Sequence, residues 1–132
     1  MGTDLPLARS GLIKPLTGSI VRRFTAGAAL SPGELFHLSS DGKCDPCDAS
    51  SITLASVTGV ALGSADLADG DVFDGVVLGP VLCLTGATIG ALVYATDTAG
   101  EPGETAGTKV SIAGFNESAT VLFVRPFQTV FS

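Results

Sequence analysis

Tryptophan is absent, and tyrosine, histidine and methionine occur once each, at Tyr94, His37 and Met1. A carbohydrate-binding surface normally presents exposed aromatic rings, so this chain has little with which to stack on a sugar. Only 7 residues are basic against 13 acidic, and the net charge of −6 leaves no basic face for nucleic acid. Charged residues make up 15% and hydrophobic ones 45%, whereas soluble domains carry roughly 25% charge. A surface so short of charge is expected to meet a partner through some of its apolar area.

Long hydrophobic runs are also missing. The longest, GVVLGPVLCL from Gly75 to Leu84, is interrupted by Gly79-Pro80 and falls short of the ~20 residues that span a bilayer. No membrane partner is expected. Pro6, Gly11 and Pro15 break up what a secretion signal would need as a continuous apolar core.

The chain instead has 17 glycines and 7 prolines, set between short apolar runs, a pattern of many strands and turns. Its 132 residues suit one domain. The organising stretch runs from Thr58 to Gly79, where two apolar runs flank Asp69-Gly70-Asp71 and predict a β-hairpin with Gly70 at positive φ. A second hairpin is expected from Lys109–Phe115 and Ala119–Arg125. Ser19–Thr25 and Glu34–Ser39 read as strands, the latter ending at a type I′ turn signal, Asp41-Gly42. Further strands are expected at Thr53–Leu62, Val72–Leu78, Val81–Leu84 and Ala91–Thr96, with a polar loop over Asp97–Gly107. The segments Gly33–Gly42 and Gly90–Gly100 echo each other and suggest a pseudo-duplicated fold.

Residues 1–18 have neither helical nor alternating periodicity and read as an extended N-terminal arm, leaving 19–132 as a single all-β domain. The arm carries Leu5, Leu7, Leu12, Ile13 and Leu16, which are expected to dock on a neighbouring subunit or other partner. A strand such as Ala119–Val124 is expected to lie in a self-association contact.

Chemistry-bearing sets are few. His37, Cys44, Cys47 and Cys83 could in principle form a Cys3His zinc site, but a zinc knuckle needs a second closely spaced ligand pair. Buried or free thiols are the simpler expectation, and no metal or cofactor is expected. Asp66, Asp69, Asp71 and Asp74 match no calcium-loop spacing and read as a solvated acidic turn. There is no G-x-S-x-G, phosphate loop or dinucleotide fingerprint, so an enzyme is not expected.

The stretches TAGAALSPGELFHLSSDGK, VTGVALGSADLADGDVFDGVVLGPVLCLTG, GALVYATDTAGE and SATVLFVRPF follow one another between Thr25 and Phe127. In this order they resemble the small head decoration, or cement, proteins of tailed bacteriophages. The resemblance implies a small β-barrel or β-tulip-like domain that assembles, often as a homotrimer, on the outer surface of the virion capsid and binds the major capsid protein. Small or aliphatic residues would be expected where Cys44 and Cys47 stand, so both depart from the family pattern. A head-fibre module binding a receptor or glycan is the alternative, and a small metal-binding or hydrolytic domain a third.

Overall fold

A computed structural model describes residues 7–127, with the side chains of residues 8–12 left aside. Among the described residues there is no helix, and ten strands form one sheet that curls into a half-barrel. The fold is therefore all-β, as the glycine and proline punctuation requires.

The sheet is built on one long strand. Sequence alone reads Val72–Leu78 and Val81–Leu84 as two strands parted by Gly79-Pro80; the structure joins them into β6, Val72–Thr85. Here the ladder changes partners. On one edge β2 (Ile20–Thr25) pairs with the first half of β6 and ends at Ile20 opposite Leu78. On the same edge β1 (Ala8–Pro15) pairs with the second half, from Pro15 opposite Val81. The gap between the two partners admits a residue without an N–H, and Gly79 takes φ +108° where the chain passes Ser19. A Cβ on Gly79 would stand 2.7 Å from Ser19 Cα, so glycine is required at this crossing.

On the opposite edge of β6, its first half pairs with β5 (Gly59–Ala61), which pairs in turn with β3 (Leu35–Leu38) and then β4 (Cys44–Pro46). The expected hairpin between β5 and β6 is present, with Val60 opposite Val76 and Gly70 at φ +95°. An isolated bridge between Ala26 and Cys44, with Gly27 N donating to Cys44 O at 2.7 Å, brings the end of β2 onto β4. The second half of β6 pairs with β10 (Val121–Val124), followed by β9 (Ile112–Asn116), β7 (Leu92–Ala95) and β8 (Pro102–Gly103). Leu7 N donates to Pro102 O at 2.7 Å and ties the start of β1 to this far end.

The two echoing segments supply β3 and β7, each paired with a short strand on one side, β4 or β8, and an inner strand on the other, β5 or β9. The expected I′ turn after β3 is different. Gly42 has φ +86° but no non-glycine residue described has positive φ, so Asp41 cannot take its place in that turn type. Gly42 N instead bonds Ser39 O, and Ser39 N bonds Lys43 O, a tight turn followed by one glycine bulge. Thr53–Leu62 yields only the three residues of β5, because residues 52–54 form turns.

Strands β3 and β5 are buried on both faces and separate two cores. Leu35, Val60 and Val76 face the larger core with Val81, Leu84, Val93, Leu122 and Val124. Phe36, Ala61 and Phe73 face the smaller one with Ala26, Leu30 and Cys44. Phe24, Phe36 and Phe73 pack there edge-to-face or tilted, with ring centroids 5.0 to 5.9 Å apart. A strand buried on both faces cannot alternate with polar residues, which is why these runs read as nearly continuous hydrophobe.

The N-terminal segment is not a detached arm over its described length. Residues 8–15 are a strand of the sheet, and Leu7 and Ile13 pack against the larger core. The irregularity that hid this strand from the sequence is a register shift between Arg9 and Lys14. Ala119–Val124 also differs from expectation: β10 is paired on both edges, with Leu122 and Val124 fully buried, so it offers no open edge to a second subunit.

Candidate functional site

The three thiols are buried and free, and they are not brought together. Cys44 lies in the smaller core while Cys47 and Cys83 lie in the larger one, on the other side of β3 and β5. Cys47 Sγ donates to Ser56 O at 3.6 Å, and His37 Nδ1 stands 2.9 Å from the same carbonyl and 3.0 Å from Ser56 Oγ. Burial pushes the Cys44 thiol up to about 11, with Asp45 and Asp41 adding to the effect, and pushes Cys83 up to about 12. The Cys47 thiol is raised as well, again mainly by burial. Such thiols stay protonated and are poor nucleophiles and poor metal ligands. Among the described residues no group of three or more histidine, cysteine or acidic side chains could hold a metal ion.

The acidic cluster is dispersed over separate tasks. Asp71 accepts from Ala68 N at 2.8 Å and closes the turn, Asp69 pairs with Lys43 at 3.2 Å, and Asp74 pairs with Arg23 at 3.3 Å. All three lie at the surface, and the arrangement is that of a solvated turn.

Of the five apolar residues singled out in the N-terminal segment, Leu5 lies outside the described residues. Leu7 and Ile13 face the protein's own core, and Leu12 lies within β1. Leu16 is half-buried where the chain passes from β1 to β2, with its N–H on Pro80 O and its carbonyl accepting from Ser19 N and Oγ. Of the three whose side chains are described, two turn inward and Leu16 is half-buried, so these three do not form an outward patch.

The exposed apolar side chains lie elsewhere. Ile20 and Leu78 face each other across the β2–β6 ladder, both more than 40% exposed. Nearby, a groove of about 640 Å³ lies between β2, the start of β6 and the 62–67 loop. Leu62, Leu67 and Phe73 line it, with the exposed Val21 and Val72 and the Arg23–Asp74 pair beside them. Residues 7–25 contain Arg9, Lys14, Arg22 and Arg23 and no acid, and Arg23 is paired with Asp74 of β6 at the groove. Strand β2 is paired only with β6 among the described residues, and its other edge is open.

At the other end of β6 the 86–91 turn carries Ile89, which at 71% is the most exposed of the large hydrophobic side chains described. It has no prominence in the sequence, where it sits alone among small residues, outside every apolar run. No protein-family model matches the chain, and no curated protein matches it.

Proposed function

We propose that the chain is a structural decoration (cement) protein of a tailed-phage head, one that binds the outer capsid surface through the major capsid protein, self-associates as a homotrimer and stabilises contacts between capsomers. The observation that carries the reading is the placing of exposed apolar side chains on fixed backbone. Ile20, Leu78 and Val72 stand on paired strands and Ile89 on a tied turn. Rigid apolar contacts bind without a large ordering cost, which suits a part that must add many times to a repeating lattice. The resemblance of Thr25–Phe127 to decoration proteins supports the same reading.

On this reading the attachment surface is the open β2 edge, where exposed apolar side chains lie beside Arg22 and Arg23. The test adds the purified chain to isolated, undecorated phage heads and measures both bound protein and the temperature at which the heads rupture. Saturable binding with a raised rupture temperature is expected. Failure to bind any head tested, including those of the phage encoding the chain, overturns the proposal.

A further inference from the structure

Residues directly opposite one another on neighbouring strands share a face of the sheet. Leu92, Phe115, Phe123 and Pro80 form one such row across β7, β9, β10 and β6, with the Phe115 and Phe123 rings stacked at 5.3 Å. Tyr94 and Ile112 form a shorter row on one side of it, and Val121 and Leu82 another on the other side. None of these side chains belongs to or packs on either core; the alternate positions, such as Val93, Leu122 and Val81, fill the larger one. Strands β7, β10 and the second half of β6 are therefore apolar on both faces. A solvated sheet face alternates polar with apolar residues, whereas β3 and β5 are apolar throughout because both their faces are covered. The outer face has the composition of a covered one, yet Leu92 is 45% exposed there.

The strands of this face are each hydrogen-bonded along both edges, so none can accept an added strand. The groove of the molecule lies elsewhere, so an extended peptide has nothing to enter. The charges at the border name the occupant. At one end of the Val121–Leu82 row Glu117 donates its N–H to Val121 O at 2.9 Å, and at the other end Lys14 stands opposite Leu82. Both are exposed, and neither has an ion-pair partner among the described residues. The row thus runs from acid through two aliphatic residues to base, and it is complementary to its own reverse. Turning a second copy about an axis along the strands brings Glu117 over Lys14 at both ends and leaves the two Arg125 side chains on opposite sides of the axis. An axis across the strands would set Lys14 on Lys14 and Glu117 on Glu117.

We propose that the chain forms a two-fold dimer by packing this face on the same face of a second copy, with Glu117 of each copy paired to Lys14 of the other. Four strands and three rows span roughly 20 Å by 20 Å. Packed on its copy about 10 Å away, such a face buries on the order of 1,000 Å² in total, the size at which a specific interface begins. The apolar rows supply the affinity, while exposed ion pairs add little and set the orientation. The contact goes beyond the decoration reading and is separate from the threefold association proposed there, since a two-fold contact closes on two copies.

Sedimentation velocity on the purified chain, with no heads present, tests this. The wild type is expected to dimerise in the micromolar range. Leu92→Asp, at an exposed position, is expected to weaken dimerisation at least about tenfold, the loss typical of an interface anchor. Leu92→Ser serves as a milder second variant, and circular dichroism checks that each folds. Lys14→Glu and Glu117→Lys are each expected to weaken it at least about threefold at low salt, because like charges then meet at both ends of the row. Mixed one to one, K14E presents only acid and E117K only base, so their heterodimer is expected to form as tightly as the wild-type dimer, with the advantage fading as salt rises. A monomeric wild type, an L92D or L92S protein that dimerises like the wild type, or a mixture of K14E and E117K no tighter than either alone overturns the proposal. If the chain dimerises as described but binds no head, the decoration reading fails alone. If a strictly monomeric chain binds heads, the dimer is wrong and the decoration reading stands.

Discussion

The Phe36 ring occupies the place where Gly75 has no side chain: a Cβ built on Gly75 would stand 2.6 Å from two of its ring carbons. Gly59, on the neighbouring strand, would also meet this ring, at 3.2 Å, and the Val76 carbonyl more closely still. Two glycines in adjacent strands thus form the bed for one aromatic ring, which fills the space a pair of side chains would otherwise occupy. Gly75→Ala is expected to cost about 1–3 kcal/mol through overpacking, read from urea unfolding. Combined with Phe36→Leu, the two losses should fall short of additive, because the smaller side chain relieves the clash.

Deleting residues 1–16 removes β1, uncovers one edge of the second half of β6, and strips Leu7 and Ile13 from the larger core. Partial burial of two aliphatic side chains alone is worth about 2 kcal/mol or more. The truncated chain should therefore melt well below the full chain, if it folds at all. A thermal scan of both proteins checks this, and equal melting temperatures would show that β1 is dispensable.

Gly70 has φ +95° and nothing within 4 Å of a Cβ placed there, so substitution meets backbone strain and no clash. Gly70→Val should cost about 1–2 kcal/mol, whereas Gly70→Asn should cost less because asparagine tolerates this region better. Chemical denaturation of the two variants separates strain from packing.

The thiols give a pH prediction. The folded state raises the Cys44 value from 9.0 to about 11, chiefly by burial, so the folded chain holds its proton where the unfolded chain has lost it. The stability this contributes is complete below pH 9.0 and is lost as pH rises towards about 11, with Cys83 acting in the same sense up to about 12. Urea midpoints should fall across that alkaline window. The cysteines of the native protein should resist a thiol reagent at neutral pH and all react once the chain is unfolded.

How much of this was legible in the sequence depends on what each residue has to do. Gly70 and the hairpin it turns were readable because the turn is made by local backbone preference. The hairpin of β9 and β10 was readable for the same reason, since apolar runs flank a short polar turn. Pro80 misled because a proline in an apolar run normally ends a strand, and only the handover from β2 to β1 across β6 removes the conflict. Strand β1 was hidden because its pairing partner is distant in sequence and its register breaks between Arg9 and Lys14. Leu7 and Ile13 looked like contact residues because an unpatterned leucine does not say whose core it enters. Ile89 could not be singled out at all, since it stands alone among small residues and the turn that carries it is tied through Thr88 to Glu104 and Asn116 only in the folded chain.

The long strand also governs when the molecule can form. Strand β6 is synthesised in the middle of the chain, yet its second half waits for Val121–Val124 before that edge is covered. A ribosome making this protein therefore holds a nascent chain in which one edge of the second half of β6 stays unpaired until residues 121–124 have emerged, and pairings of such long sequence separation close slowly. At high rates of synthesis, the yield of native protein should be set by how well this interval is protected from strand exchange between neighbouring nascent chains.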